Sequence, residues 1–181
     1  MALYSTSVEY GLHCLLPLCS PDVHASSQEL AEFQGVSPAY LAKLFTTLKR
    51  AGLVEALEGA GGGYRLARAP ADISVLDVIE ALEGDKPLFQ CNEIRGNCAV
   101  FGGKPPGWAS KGLCSIHAVM LEAEQQMRTV LAGHTLADLA ARLESKAPKA
   151  FPREVTAWFD ARRTGRARSA AATRRINPGE K

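Results

Sequence analysis

The chain predicts a mainly α-helical protein with a small β-hairpin, arranged as a winged helix-turn-helix followed by a long dimerisation helix. Three observations carry that expectation. Apolar residues recur at helical spacing in segments that open on Ser or Thr caps. Ser37-Pro38 starts a helix immediately after the Gln34-Gly35-Val36 turn. Two short strand-like runs flank a glycine-rich tip in LVEALEGAGGGYRLA. With 181 residues and 46% hydrophobic content, the chain can bury one sizeable core with extensions.

The first helix is expected over 6–19, because Val8, Leu12, Leu15, Leu16 and Cys19 form an apolar stripe and Thr6 with Glu9 has capping-box form. Ser26 with Glu29 opens a second, shorter helix carrying Leu30 and Phe33. The third runs from Ser37 to Ala51 with Leu41, Leu44, Phe45 and Leu48 inward. It is the candidate recognition helix, suited to a major groove about 12 Å wide. The candidate DNA-facing residues are Ser27, Gln28, Ser37, Tyr40, Lys43, Thr46, Thr47 and Arg50, with Gly62 and Tyr64 at the wing. The glycine-rich tip lacks the GKS/T ending of a phosphate-binding loop.

Ser74 caps a helix from Val75 to Leu82 that Gly84 ends. Residues 115–131 form a long helix with Ile116, Val119, Met120, Ala123, Met127 and Val130 on one side, a face for which a small winged helix has no partner. Two-fold pairing with a second copy is the simplest way to cover it, so a homodimer is expected. Thr135 starts a further helix, and Phe151 to Phe159 a short amphipathic one. Past Ala161 the composition turns to Arg, Ala and Ser, which predicts a flexible tail. The expected organisation is therefore a DNA-binding domain over 1–85, a cysteine-bearing loop over 86–114, dimerisation helices over 115–145 and a basic tail over 146–181.

Charge is divided along the chain. Residues 146–181 hold 10 Lys+Arg against 3 Asp+Glu, net +7, and the preceding 145 hold 11 against 16, net −5. A basic tail serves either as a phosphate contact or as a solubilising terminus. No run of eighteen apolar residues and no secretory leader is visible, so the expected location is cytoplasmic, without a membrane partner. Five cysteines in that compartment point to metal or redox chemistry and away from a disulfide framework.

Glu9 and His13 lie one helical turn apart, roughly 5 to 6 Å between Cβ atoms, so a carboxylate and an imidazole can meet one ion. The same spacing also suits a solvated surface pair. Cys14 and Cys19 sit in an apolar run and read as packing residues. Cys91, Cys98 and Cys114 lie in or beside the segment 90–111, broken by Gly96, Gly102, Gly103, Pro105, Pro106 and Gly107, where a thiol has little core to join. Cysteinate is the usual ligand of iron-sulfur clusters, and histidine can replace it on one iron. A Glu/His/Cys/Cys set is chemically reasonable.

The order helix, helix, SPAYLAKLF, GLVEALEGAGGGYRLA, ISVLDVIEALEG, cysteine loop and long helix resembles the iron-sulfur winged-helix regulators of the Rrf-two family over residues 1 to about 145. The most specific pieces are Gly61-Gly62-Gly63-Tyr64 followed by Arg65-Leu66-Ala67, and the segment 73–84. VEYGLHC at 8–14, CNEIR at 91–95 and LCSIHAVM at 113–120 look like the RsrR branch, related to IscR and NsrR. That resemblance implies a homodimeric transcriptional regulator, a repressor rather than an enzyme, bound to double-stranded DNA at a pseudo-palindromic operator. It implies a [2Fe-2S] cluster held by Glu9 and His13 of one subunit and Cys91 and Cys114 of the other. The three-cysteine pattern of the other branches would instead use Cys91, Cys98 and Cys114 with His117, sensing nitric oxide or cluster supply. A cluster-free thiol or zinc regulator and a redox enzyme are further alternatives. Two positions depart from the RsrR branch: Gln34 replaces a histidine near the cluster, and Glu58 replaces a basic wing residue.

Overall fold

The computed structural model describes residues 3–59 and 61–176. They form two compact units, Met1–Gly84 with Ala132–Lys181, and Asp85–Leu131.

The first unit is a helix-turn-helix with a wing, extended by two C-terminal helices. Helix α1 spans Thr6–Leu15 and continues as a 3-10 turn over Leu16–Cys19, where Pro17 interrupts the α-helical pattern. Its cap is Ser5, whose hydroxyl accepts from the Ser7 amide, and not Thr6 as the hydroxyl-Glu spacing suggests. Helix α2, Ser27–Gln34, has the capping box of Ser26 and Glu29, and Gly35 ends it in the left-handed conformation at φ 67°. Helix α3, Pro38–Arg50, starts at Ser37 with Pro at its first position. Strands β1, Val54–Leu57, and β2, Gly63–Leu66, pair antiparallel with Val54 opposite Leu66 and Ala56 opposite Tyr64. Ala25 adds a bridge to Tyr64 on the other edge of β2.

Helix α4, Val75–Glu83, and helix α6, Leu136–Lys146, both begin with capping boxes, Ser74 with Asp77 and Thr135 with Asp138. Their two cap residues pair as an antiparallel bridge: the Val75 amide donates to His134 O at 2.8 Å and the Leu136 amide to Ile73 O at 2.9 Å. The core is closed by Leu15, Leu30, Leu41, Phe45, Leu48, Leu53, Ile73 and Leu136, all essentially without solvent exposure. Removing a side chain such as Phe45 from such a core costs about 3–5 kcal/mol.

Helix α7 spans Phe151–Ile176, well past the Phe159 end expected from the fading apolar pattern. The expected flexible tail is helical as far as it is described; residues 177–181 of that tail lie outside the described residues. Trp158 and Phe159 pack on Phe33 at 5.1 and 5.0 Å between ring centroids, and Phe159 is buried. Beyond them, ionic contacts replace apolar ones. Arg162 stacks on Trp158 and donates to Glu32 at 2.6 Å, while Arg163 meets Asp160 at 2.6 Å and His24 at 3.1 Å.

The second unit is made of short 3-10 turns at Ile94–Asn97, Ala99–Phe101 and Gly107–Ala109, followed by helix α5, Ser115–Ala132, at the unit boundary. Helix α5 buries no residue of its own, and Ile116, Val119 and Val130 are exposed. An apolar stripe left uncovered in this way matches the face read from the sequence. Among the described residues no helix is long and apolar enough to cross a membrane.

Candidate functional site

Glu9 and His13 stand one turn apart on α1, both exposed. Because Ser5 caps the helix, Glu9 has no capping duty and its carboxylate is available to a ligand. The main-chain carbonyl of His13 accepts from Gln34 Nε2 at 3.1 Å, which ties α1 to the end of α2. His13 also lines a cleft of about 640 Å³ in the first unit, together with Cys19, Phe33, Gln34, Leu143 and Val155.

Cys91 and Cys114 belong to the second unit. Cys114 immediately precedes α5 and is nearly buried, at 8% exposure. The amides of His117 and Ile116 hydrogen-bond its sulfur, and the Arg95 guanidinium lies close by, so the thiol is held below its ordinary range against the opposing effects of burial and Glu93. The start of a helix favours a negative charge through its free amides, and a cysteine there is biased toward thiolate. Arg95 feels the charge of both Cys114 and Cys91. It is anchored by a bond from Nη2 to Gly112 O at 2.9 Å and by an ion pair with Glu93. Glu93 itself occupies the left-handed region at φ 50°, a conformation few non-glycine residues adopt.

The other candidates differ. Cys98 is exposed. His117 meets Cys114 through its backbone amide, while its ring lies 6.0 Å from that of Phe89. Cys14 and Cys19 are packing residues: burial pushes their thiols up to about 12 and about 11, and the Cys19 thiol donates weakly to Leu15 O. Among the described residues no three His, Cys, Asp or Glu side chains of a single copy gather into a metal-binding group. The donor set nevertheless suits an iron-sulfur cluster: one arginine feels two thiols, one of them is shifted toward the thiolate by helix-start amides, and a carboxylate and imidazole share one exposed helix face.

The candidate DNA face follows from α3. Its inward residues Leu41, Leu44, Phe45 and Leu48 are at most 6% exposed, which leaves Lys43, Thr46, Lys49 and Arg50 on the solvent side. Thr46 and Thr47 donate their hydroxyl protons to Ala42 O and Lys43 O, so toward a ligand these oxygens act as acceptors. Tyr40 is 39% exposed. Its hydroxyl lies 2.6 Å from that of Ser7, and its ring is edge-on to Tyr10 at 5.8 Å. The recognition helix is thereby joined to α1 beside Glu9. Gln28 and Ser37 are exposed, and Ser27 is half-buried.

The wing candidates have structural duties. Tyr64 is half-buried: its ring packs on Phe45 at 5.0 Å between centroids, and its main chain pairs with Ala25. Alternation along β2 signals this, since Tyr64 shares the parity of Leu66 while Arg65 points outward to Glu55 at 2.5 Å. Gly62 is buried, and a Cβ there would lie 2.0 Å from Leu57 O. Sequence reasoning missed Arg95, Ser7 and Arg166. Arg95 lies inside the run CNEIR, four residues after Cys91, but nothing local marks it as the residue that also neighbours the distant Cys114.

The family described as Rrf2, iron-dependent transcriptional regulator, matches residues 4–142. A putative HTH-type transcriptional regulator of Azotobacter vinelandii is 34% identical over 143 residues, covering 76% of this chain and 79% of its own. Protein rrf2 of Nitratidesulfovibrio vulgaris is 35% identical over 140 residues, covering 75% of this chain and 85% of its own. Among solved structures, CymR, the global cysteine regulator of Bacillus subtilis, superposes with a TM-score of 0.63 at 27% identity over 78% of this chain and 98% of its own. T. potens IscR does so with a TM-score of 0.61 at 29% identity over 81% and 93%.

Proposed function

Because this chain belongs to the Rrf2 family of helix-turn-helix transcriptional regulators and is not an enzyme, we propose that it is a homodimeric repressor that reads redox state through a [2Fe-2S] cluster shared between protomers. The observation that carries the reading is the Cys91, Arg95 and Cys114 arrangement, in which one cation neighbours two thiols and the start of α5 favours one of them as thiolate. Cys91 and Cys114 of one protomer supply two ligands and Glu9 and His13 of the other supply two. A cluster held by these residues would supply one-electron chemistry, and with it a change of charge beside α1.

The chain's own residues turn that charge into a DNA response. Glu9 and His13 sit on α1, and α1 reaches the recognition helix through Ser7 and Tyr10, both against Tyr40. A small displacement of α1 therefore moves Tyr40 and the N-terminal turn of α3. A dimer whose recognition helices must enter half-sites of a pseudo-palindromic operator about 34 to 36 Å apart is sensitive to such a movement. A complete switch requires the two redox states to differ by about 5.5 kcal/mol in preference for the binding form, and a partial one requires less.

Subunit mixing tests the bridging. Neither a His13→Ala homodimer nor a Cys91→Ala homodimer can complete a site, but their heterodimer has one site with all four ligands and one that has lost two. Differently tagged chains are co-expressed, and iron content and absorbance above 400 nm are read on the purified heterodimer. About one cluster per heterodimer is expected, and none would sink the model. Cys98→Ala should leave the spectrum intact; loss of colour there, with retention in His13→Ala, assigns the cluster to three cysteines and His117.

A cluster-free thiol switch at Cys114 is the second reading. It is favoured by the same depressed thiol and by a likeness to an oxidized form of Staphylococcus aureus CymR, 28% identical with a TM-score of 0.53. Colourless protein, purified without oxygen, would mark it, and stoichiometric zinc would mark a structural metal instead.

A further inference from the structure

Helix α7 lies beyond residue 142, where the family match ends, and one of its arginines touches the wing. Arg166 Nη2 donates to Gly62 O at 2.9 Å and lies 3.2 Å from Glu29 Oε2. Glu29 is 6% exposed and caps α2 through its bonds to the Ser26 amide and hydroxyl. A single guanidinium thus joins the tip of the wing to the first turn of α2, where Ser27 and Gln28 lie. We propose that α7 is a working part of the DNA-binding surface, with Arg166 as the residue that positions the wing. The inference rests on the DNA face described above.

Three physical arguments support it. A two-stranded hairpin with four-residue strands has marginal stability alone, and this one turns through Gly59, Gly61, Gly62 and Gly63, which lose much conformational freedom on ordering. A bond from outside the hairpin to a carbonyl of that tip restricts it where its own sheet is weakest. Second, a nearly buried carboxylate such as Glu29 requires a compensating charge, and Arg166 provides it. Third, Arg166 rides on a helix that is firmly seated on the first unit. Trp158 and Phe159 pack on Phe33, and Arg162 and Arg163 hold Glu32 and His24 one to two turns earlier. Arg163 also reaches the tip, since its Cγ stands 3.9 Å from where a Gly61 Cβ would lie.

Arg166 acts by placing the wing and not by touching phosphate. Its side chain is 33% exposed, its Nη2 is engaged by both Gly62 O and Glu29 Oε2, and its Nε is buried. The two roles have different salt signatures, because a lost phosphate contact lowers the slope of log affinity against log salt by about one and a lost positioning bond does not.

The test uses the full-length protein and a labelled duplex that the wild type has selected from a random-sequence pool. Arg166→Ala, and a chain stopped after Gly165 that keeps Trp158 and Phe159, should each bind roughly tenfold more weakly with an unchanged salt slope. Hydrogen exchange should quicken at 58–63 and stay unchanged in α3, which shows that the fold survives. Arg166→Lys should recover part of the affinity, since an ammonium restores the charge and a donor but on a shorter side chain. Unchanged or tighter binding by Arg166→Ala or by the shortened chain overturns the proposal, as does a salt slope lowered by about one per protomer. If those variants bind like wild type while a Lys43/Arg50 double substitution abolishes binding, the wing clamp fails and the DNA face stands. If the Lys43/Arg50 variant also binds normally, the DNA face itself fails.

Discussion

In the first unit the inward residues of α3 are at most 6% exposed, whereas in the second Ile94, Val100 and Trp108 are 70%, 84% and 73% exposed. The first closes its core with its own side chains and its helices with capping boxes on α2, α4 and α6. The second has 3-10 turns, a left-handed Glu93 and a helix that buries nothing. A segment of this kind has little apolar burial with which to offset the entropy of ordering. Its stability must come from outside its own core, and the proposed cluster and second protomer are the two sources argued above.

The sharpest contrast lies in truncation. Phe45→Ala should cost about 3–5 kcal/mol in urea unfolding. Trp108→Ala should fall within about 0.5 kcal/mol, as solvent-facing substitutions usually do. A Trp108 loss as large as that of Phe45 would erase the distinction between the units. The next effect concerns α5, where Ile116→Glu with Val119→Glu should weaken self-association at least about tenfold by sedimentation, since buried interface anchors cost more than about 1 kcal/mol each. Unchanged sedimentation would remove α5 from the interface. Ser74→Ala and Thr135→Ala should each lower stability by about 1 kcal/mol in the same unfolding assay.

The smallest expected effect is a pH slope. Burial holds the Cys14 thiol at about 12 and the Cys19 thiol at about 11, against an ordinary value of 9.0. Between these values the folded chain binds more protons than the unfolded one, so stability should fall as pH rises above about 9. Cys14→Ala, whatever it costs in packing, should show a shallower decline of melting temperature between pH 8 and 11. An unaltered slope would mean that Cys14 is ionised in the folded state.

How far the chain could be read in advance depended on whether local pattern or distant contact decides a residue's place. Helices α2, α3, α4 and α6 follow from period and cap, because Ser26, Ser37, Ser74 and Thr135 act within three residues. The cap of α1 moved by one residue because Ser5 and Thr6 offer equivalent hydroxyls. Helix α7 outruns the apolar pattern because its middle, at Arg162, Arg163 and Arg166, is held by Glu32, His24 and Glu29, which lie more than a hundred positions away, and not by an apolar stripe. For Tyr64 the signal is local, since strand parity puts its ring on the side of Leu66 and against Phe45. For the candidate ligands, the i, i+4 pair and the lone thiols are visible as chemistry, but an arginine that feels both thiols requires coordinates.

The paired caps Ser74 and Thr135 carry a consequence for how such a regulator can diversify. The chain leaves this seam along α4 and returns to it through His134, so the ends of everything between are stitched by two main-chain bonds of the scaffold. The entropy of a tethered segment grows only with the logarithm of its length, about 0.6 kcal/mol for each doubling. Residues 85–131 can therefore be lengthened, shortened or exchanged with little effect on the part that binds DNA. The seam makes that segment a cartridge, replaceable without rebuilding the scaffold that carries it.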